Sequence, residues 1–301
     1  MKKTFLLLFI ILCAQLMSAQ SKLHFGARGG VEFLMPKSDY TTKNKVGGLG
    51  VIDFGYTYYW NTRNSGDWGI RTGLSAGYAT NQTLLDFSQK YTNFDYLKNE
   101  MLYTTSGNVD IALQRAFVEV PVMAAFKYNG FVMDLGLKAQ YTIWNRAKQK
   151  LSNPAIDAFY VPYNVHVTDE LITGVVNQND LNKTYNGGAP FFYLLIAFRI
   201  GYEFQVESNG KLGLAASLDY NVWNNFSNHY TQSLISVAPI VNIVDPVPKV
   251  TVNNAFGTLI SGIHPLTIGL SIYYVLNPTT QNGIVNGSGY KVNSKRNYHR
   301  R

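Results

Sequence analysis

From Pro265 the chain reads PLTIGLSIYYVL. In an extended strand this puts Leu266, Ile268, Leu270, Ile272, Tyr274 and Leu276 on one side and Thr267, Gly269, Ser271 and Tyr273 on the other. The same two-residue period recurs at 23–34, 48–60, 68–79, 115–128, 131–144, 191–204 and 211–223. Alternation alone does not name the solvent on each side, because a soluble antiparallel sheet shows it too. The connections decide. Short ones at 61–67, 129–130 and 207–210 alternate with long ones at about 35–47, 80–114, 145–190 and 224–264. The Asn-Gly pairs at 129 and 209 suit type I′ hairpins, whose two central residues need positive φ.

Strands running up and down, with short turns at one end and long loops at the other, are the layout of an outer-membrane barrel. The expected fold is all-β: a transmembrane antiparallel up-and-down β-barrel of eight strands with four long extracellular loops. A ten-strand barrel is the alternative, because LISVAPIVNIV and PKVTVN in the last long connection could add a hairpin.

Composition fits a barrel. The chain is 46% hydrophobic but only 15% charged, against about 25% in globular proteins. After the leader no apolar run approaches the ~18 residues of a spanning helix. The leader MKKTFLLLFIILCAQLMSAQ has two lysines, an apolar core and small residues up to Ala19, so 1–19 is expected to be a secretory signal peptide. A lipoprotein signal at Cys13 is disfavoured by the bulky Leu12 before it. Residues 20–277 are then the barrel and 278–301 a basic, loose periplasmic tail. Cys13 is the only cysteine, so the mature chain has no disulfide framework or thiolate chemistry.

The net charge of +8 does not indicate nucleic acid. Lys2, Lys3, Lys291, Lys295, Arg296, Arg300 and Arg301 carry seven of those charges at the two ends, leaving the body nearly neutral.

Following parity along each strand sends Arg28, Glu32, Asp53, Arg71, Arg115, Glu119, Lys127, Asp134, Lys138, Arg199, Glu203 and Asp219 to the polar, inward face. Six are basic and six acidic. An eight-stranded lumen is just wide enough to be filled by side chains, and an unpaired buried charge costs several kcal/mol. The expectation is a charge-paired plug rather than an open pore. The stretch FFYLLIAFRIGYEF at 191–204 is then a strand whose Arg199 and Glu203 face the lumen. Pro121 also points inward, and because it lacks an N–H a bulge is expected there. On the outward face, Tyr56, Tyr58, Trp60, Trp68, Phe126, Tyr128, Tyr202, Phe204 and Tyr274 gather at the short-turn ends, with Tyr78, Tyr141 and Tyr220 near the long-loop ends. They read as two interfacial aromatic girdles.

The segment RAFVEVPVMAAFKYNGFVMDLGLKAQY, with its Glu119-x-Pro121 step, short turn and mid-strand Gly136, resembles the central hairpin of the PorT-like and OmpX-like porin-family barrels of Bacteroidota. LTIGLSIYYVL is similar to their closing strand. The resemblance implies an outer-membrane location, contact with outer-membrane lipid and lipopolysaccharide, and insertion by the β-barrel assembly machinery. Some PorT-like members serve the type IX secretion system. Family barrels often end on a C-terminal aromatic, whereas here a tail follows Leu276.

No catalytic motif, metal-ligand spacing or cofactor fingerprint is present, so no enzyme activity, metal or cofactor is expected. Ser227 and His229 are the only pair that could be nominated for a lipid A or phospholipid hydrolase, and they lack a nearby acid. The expected role is structural, binding, or envelope- or secretion-associated, with a narrow porin as the alternative. An adhesion module would use aromatics of the long connections such as Tyr91, Phe94, Tyr96, Phe159, Tyr160, Tyr163, Phe226 and Tyr230. A secretion or envelope component would meet partner proteins through the tail or barrel wall.

Overall fold

The computed structural model describes residues 21–60, 66–94, 98–167, 181–187, 191–206, 210–223, 233–238 and 249–276. The leader, the tail and Tyr96, Phe226, Ser227, His229 and Tyr230 lie outside the described residues. The strands are β1 (Ser21–Lys37), β2 (Thr41–Trp60), β3 (Asp67–Phe94), β4 (Glu100–Tyr128), β5 (Phe131–Tyr160), β6 (Val165–Val167), β7 (Asn182–Asn186), β8 (Phe192–Gln205), β9 (Gly210–Asn221), β10 (Ile235–Val237), β11 (Val250–Val252) and β12 (Gly262–Leu276). One helical turn, α1 (Ala255–Thr258), precedes β12.

Eight strands, β1–β5 with β8, β9 and β12, close into an antiparallel ring. The seam pairs β1 with β12 from Leu23–Leu276 to Lys37–Gly262, so these strands leave no free edge. Each of the eight alternating windows falls on one ring strand, with 191–204 starting one residue before β8 and 211–223 running two residues past β9. The β4–β5 turn needs two positive φ values, and Asn129 and Gly130 supply them at 47° and 86°.

The strands are far longer than a membrane requires. β3, β4 and β5 have 28, 29 and 30 residues, where about 9–11 suffice to cross a bilayer. The alternation continues through them, but its polarity reverses. In β3 the outward residues are Trp68, Ile70, Leu74 and Tyr78, followed by Thr80, Gln82, Asp86 and Ser88; the inward ones pass from Arg71 and Ser75 to Leu85 and Phe87. β4 does the same, with inward Arg115 and Glu119 giving way to Leu113, Ile111 and Val109. In β5 a bulge opposite Ala116 and Phe117 turns both Ile143 and Trp144 outward and resets the parity, so that Ala147 and Leu151 face in.

This second half is a distal module with its own apolar core. Leu85, Phe87, Met101, Val109, Ile111 and Leu151 pack against Leu234, Ile235, Val250, Phe256 and Ile260. β6 and β7 pair with the far part of β5. β10 and β11 pair with each other in a separate two-stranded sheet, so the hairpin in the last connection exists but does not widen the ring to ten. Polar side chains fasten it: Gln89 accepts from the Leu234 amide at 2.7 Å, Tyr91 accepts from the Val237 amide at 2.8 Å, and Asn93 donates to the Val237 carbonyl at 2.6 Å. Burial pushes the Tyr91 hydroxyl up to about 12, so it stays neutral in this contact.

Two expectations differ in detail. The long connections cluster at one end, but those at 35–47 and 80–114, and the first part of 145–190 up to Tyr160, are mostly strand, held by the module's core rather than left as loops. No bulge forms at Pro121. The β3–β4 ladder lapses between Thr72–Val122 and Ser75–Glu119 with unchanged register, and Pro121 still sits opposite Lys138 on β5. A local lapse accommodates the missing N–H without an inserted residue.

Candidate functional site

The lumen is stacked in tiers of ion pairs. Nearest the distal module, one Arg115 nitrogen reaches both oxygens of Glu32 at 2.5 and 2.6 Å, and another donates to Gln140 at 3.3 Å. Asn81 and Thr267 donate to the same carboxylate at 2.6 and 3.2 Å. The guanidinium of Arg115 lies 4.8 Å from the Tyr193 ring and 5.5 Å from that of Phe117. Gln140 also donates to Glu119 at 3.4 Å and so links this tier to the next. There Arg28 bridges Glu119, at 2.7 Å, and Asp219, which also holds Lys138 at 2.7 Å.

Below, Asp134 accepts from Arg199 at 2.6 Å and Arg71 at 3.4 Å. Both guanidiniums stand over the Tyr273 ring, at 4.6 and 5.8 Å. Gly213 makes room for that ring, because a Cβ there would come within 2.1 Å of it. At the short-turn end Lys127 pairs with Glu203. Asp53 makes no direct ion pair with a described residue; it lines a cavity of about 40 Å³ with Arg28, Arg71, Lys138 and Arg199. That volume has room for a few waters at most.

The nine aromatics assigned to the short-turn girdle all face outward there, with Trp60, Trp68, Tyr128, Tyr202 and Phe204 the most exposed. Tyr78, Tyr141 and Tyr220 are exposed toward the other margin of the apolar band. Parity assigns residues to this face, Thr267 and Tyr273 among them, but does not say which neutral side chains the charges meet. Asn81, Gln140, Tyr193, Thr267 and Tyr273 are those partners. His24 also faces inward, and its Nε2 lies 2.6 Å from Thr57 Oγ1. Among the described residues, no group of three or more His, Cys, Asp or Glu is arranged to hold a metal, and no helix is long and apolar enough to cross a membrane.

At the far tip of the module is an aromatic and apolar cluster. Phe94, Val161, Tyr163 and Val165 are exposed, Tyr160 and Tyr163 have ring centres 5.1 Å apart, and Phe159 packs on His166 at 5.0 Å.

No family model and no curated protein match the sequence. Among solved structures, the chain is similar to Ail, the attachment invasion locus protein of Yersinia pestis, at 11% identity and a TM-score of 0.34, over 86% of this chain and all of that one. It is also similar to the neisserial surface protein NspA, at 9% identity and a TM-score of 0.28, over 83% of this chain and 95% of that one. The outer membrane protease OmpT of Escherichia coli follows at 7% identity and 0.24, over 85% of this chain and 95% of that one. Likeness this distant assigns no function.

Proposed function

We propose that this chain is an integral outer-membrane barrel whose plugged lumen serves as an anchor, and whose distal module is an extracellular binding surface. The observation that carries the reading is the filled lumen: ion pairs stand at every level, and the cavity that Asp53 lines among them holds about 40 Å³. The closed ring leaves no lipid-exposed ladder edge. A leader at 1–19 would deliver the chain for insertion by the β-barrel assembly machinery. Short turns and both ring ends lie on one side, which in such barrels is periplasmic, so the module stands outside the cell. Its tip, with Phe94 and Tyr163 exposed beyond the apolar band, is where a partner would dock. The Glu119-x-Pro121 hairpin, which resembles that of the PorT-like and OmpX-like porin family of Bacteroidota, supports reading the chain as an envelope or secretion-associated component.

Planar-bilayer conductance tests the plug. The purified chain is expected to insert without steady ion current. Stable openings of nanosiemens size would contradict the anchor and favour a porin for small solutes.

A further inference from the structure

Immediately beyond the apolar band, the outer wall of β5 changes chemistry. Ile143 and Trp144 face outward with 63% and 42% exposure. The next outward positions are Arg146, which is half-buried, and Lys148 and Lys150, which are exposed. Alternate residues on one face of a strand stand about 6.6 Å apart, so the three cations form a short ladder. Their neighbours across the sheet are Gln114, Ala112 and Asp110 on β4 and Asn186, Thr184 and Asn182 on β7. The one acid among these, Asp110, also lines the recess described below, where it pairs with Lys45 at 3.4 Å and accepts from Gln82 at 2.8 and 2.9 Å, leaving the three cations of β5 in excess.

Lys45, Gln82, Ala112 and Lys148 lie in one row across β2, β3, β4 and β5. Three strand spacings separate the two lysines, roughly 14 Å. The small Ala112 lies between them, and a recess of about 320 Å³ opens there against Lys148 and Lys150. For a strand tilted ~40° and rising ~3.3 Å per residue, Arg146 stands roughly 5 Å and Lys150 roughly 15 Å outside the edge marked by Trp144. Flexible stems let Arg146 and Lys148 reach into the headgroup layer, while Lys150 stands at its outer margin, where headgroup sugars project.

We infer that Arg146, Lys148 and Lys150 hold the phosphorylated headgroup of a glycolipid in the leaflet at the distal end of the barrel. This rests on the outer-membrane reading above, in which that leaflet is the outer one. An outward-facing cation ladder bordering lipid, flanked by Gln, Asn and Thr donors, suits phosphate and sugar hydroxyls together. Each cation near such a surface contributes about fivefold in binding.

The test uses the full chain folded in neutral phosphatidylcholine vesicles, titrated with bisphosphorylated lipid A, its dephosphorylated form or phosphatidylglycerol, against the variant carrying Arg146→Gln, Lys148→Gln and Lys150→Gln. Retention of bisphosphorylated lipid A is expected to exceed that of the other two lipids and to fall on the order of 100-fold in the variant. It should also weaken as salt rises. Heat-dependent gel migration reports whether each chain is inserted and folded. Equal retention by the folded wild type and folded variant, or of the three lipids by the wild type, overturns the inference alone. A wild-type chain that never inserts overturns the membrane reading as well.

Discussion

Replacing Asp134 by alanine is expected to destabilise the barrel by about 3–5 kcal/mol, the usual cost of removing one partner from a buried ion pair. Asp134 is the carboxylate on which both Arg199 and Arg71 converge, at 2.6 and 3.4 Å, and it is almost wholly buried. Without it two guanidiniums share one tier inside the lumen, over the same Tyr273 ring, and repel each other. The loss belongs to the unpaired charges rather than to the missing carboxylate. Adding Arg71→Met and Arg199→Met to Asp134→Leu should therefore recover most of it, because an apolar replacement of similar volume is often neutral or better. Urea unfolding in lipid vesicles measures both effects. A loss below about 1 kcal/mol for the single variant would show that the tier is hydrated rather than packed.

The second large effect lies in the distal module. Leu85 has no exposed surface, and its side chain faces the core that joins β3, β4 and β5 to the covering hairpin. Leu85→Ala should cost that module about 2–5 kcal/mol through lost burial and the cavity left behind. Because the apolar core and the charged lumen are separate layers of the same strands, the loss should be local. Amide exchange is expected to accelerate across 80–116 and in β10 and β11, while amides beside Arg28, Asp134 and Glu203 stay protected. Acceleration spread evenly over the ring would mean that the module has no independent stability.

The contrast between Arg71 and Leu85 also explains what a reader of the sequence can see. Both are inward residues of β3, separated by an even number of positions. A search for apolar residues facing lipid finds Ile70, Leu74 and Tyr78, then loses the trail at Thr80 and assigns a loop. The strand has not ended there. Its outward solvent has changed from lipid to water, and the apolar set has moved to the other face without any change in backbone period. Reversed alternation in Leu85, Phe87, Val109, Ile111 and Leu113 is the signal for the module, and it is legible once both phases are considered.

The pairings inside the lumen are a different matter. Parity places Arg115 and Glu32 on the inward face, but their contact joins residues 83 apart in sequence. It depends on which strands become neighbours and at what stagger. Pro121 illustrates the same limit from the backbone side, since a missing N–H can be met by a bulge or by a lapse in the ladder, and the choice depends on the register with β3.

A barrel that crosses the membrane and carries a module beyond it requires a change of solvent along β3. Single spin labels placed at successive positions from Trp68 to Ser88, with the chain folded in lipid vesicles, can be probed with oxygen, which concentrates in lipid, and with a polar nickel complex, which stays in water. Even positions up to Tyr78 should be lipid-accessible and odd ones shielded; from Thr80 onward the even positions should become water-accessible, while Leu85 and Phe87 remain shielded from both probes. Lipid accessibility persisting through Gln82 and Asp86, or the absence of a two-residue period below Tyr78, would contradict a barrel that crosses the membrane with its charges inside and carries a folded module beyond it.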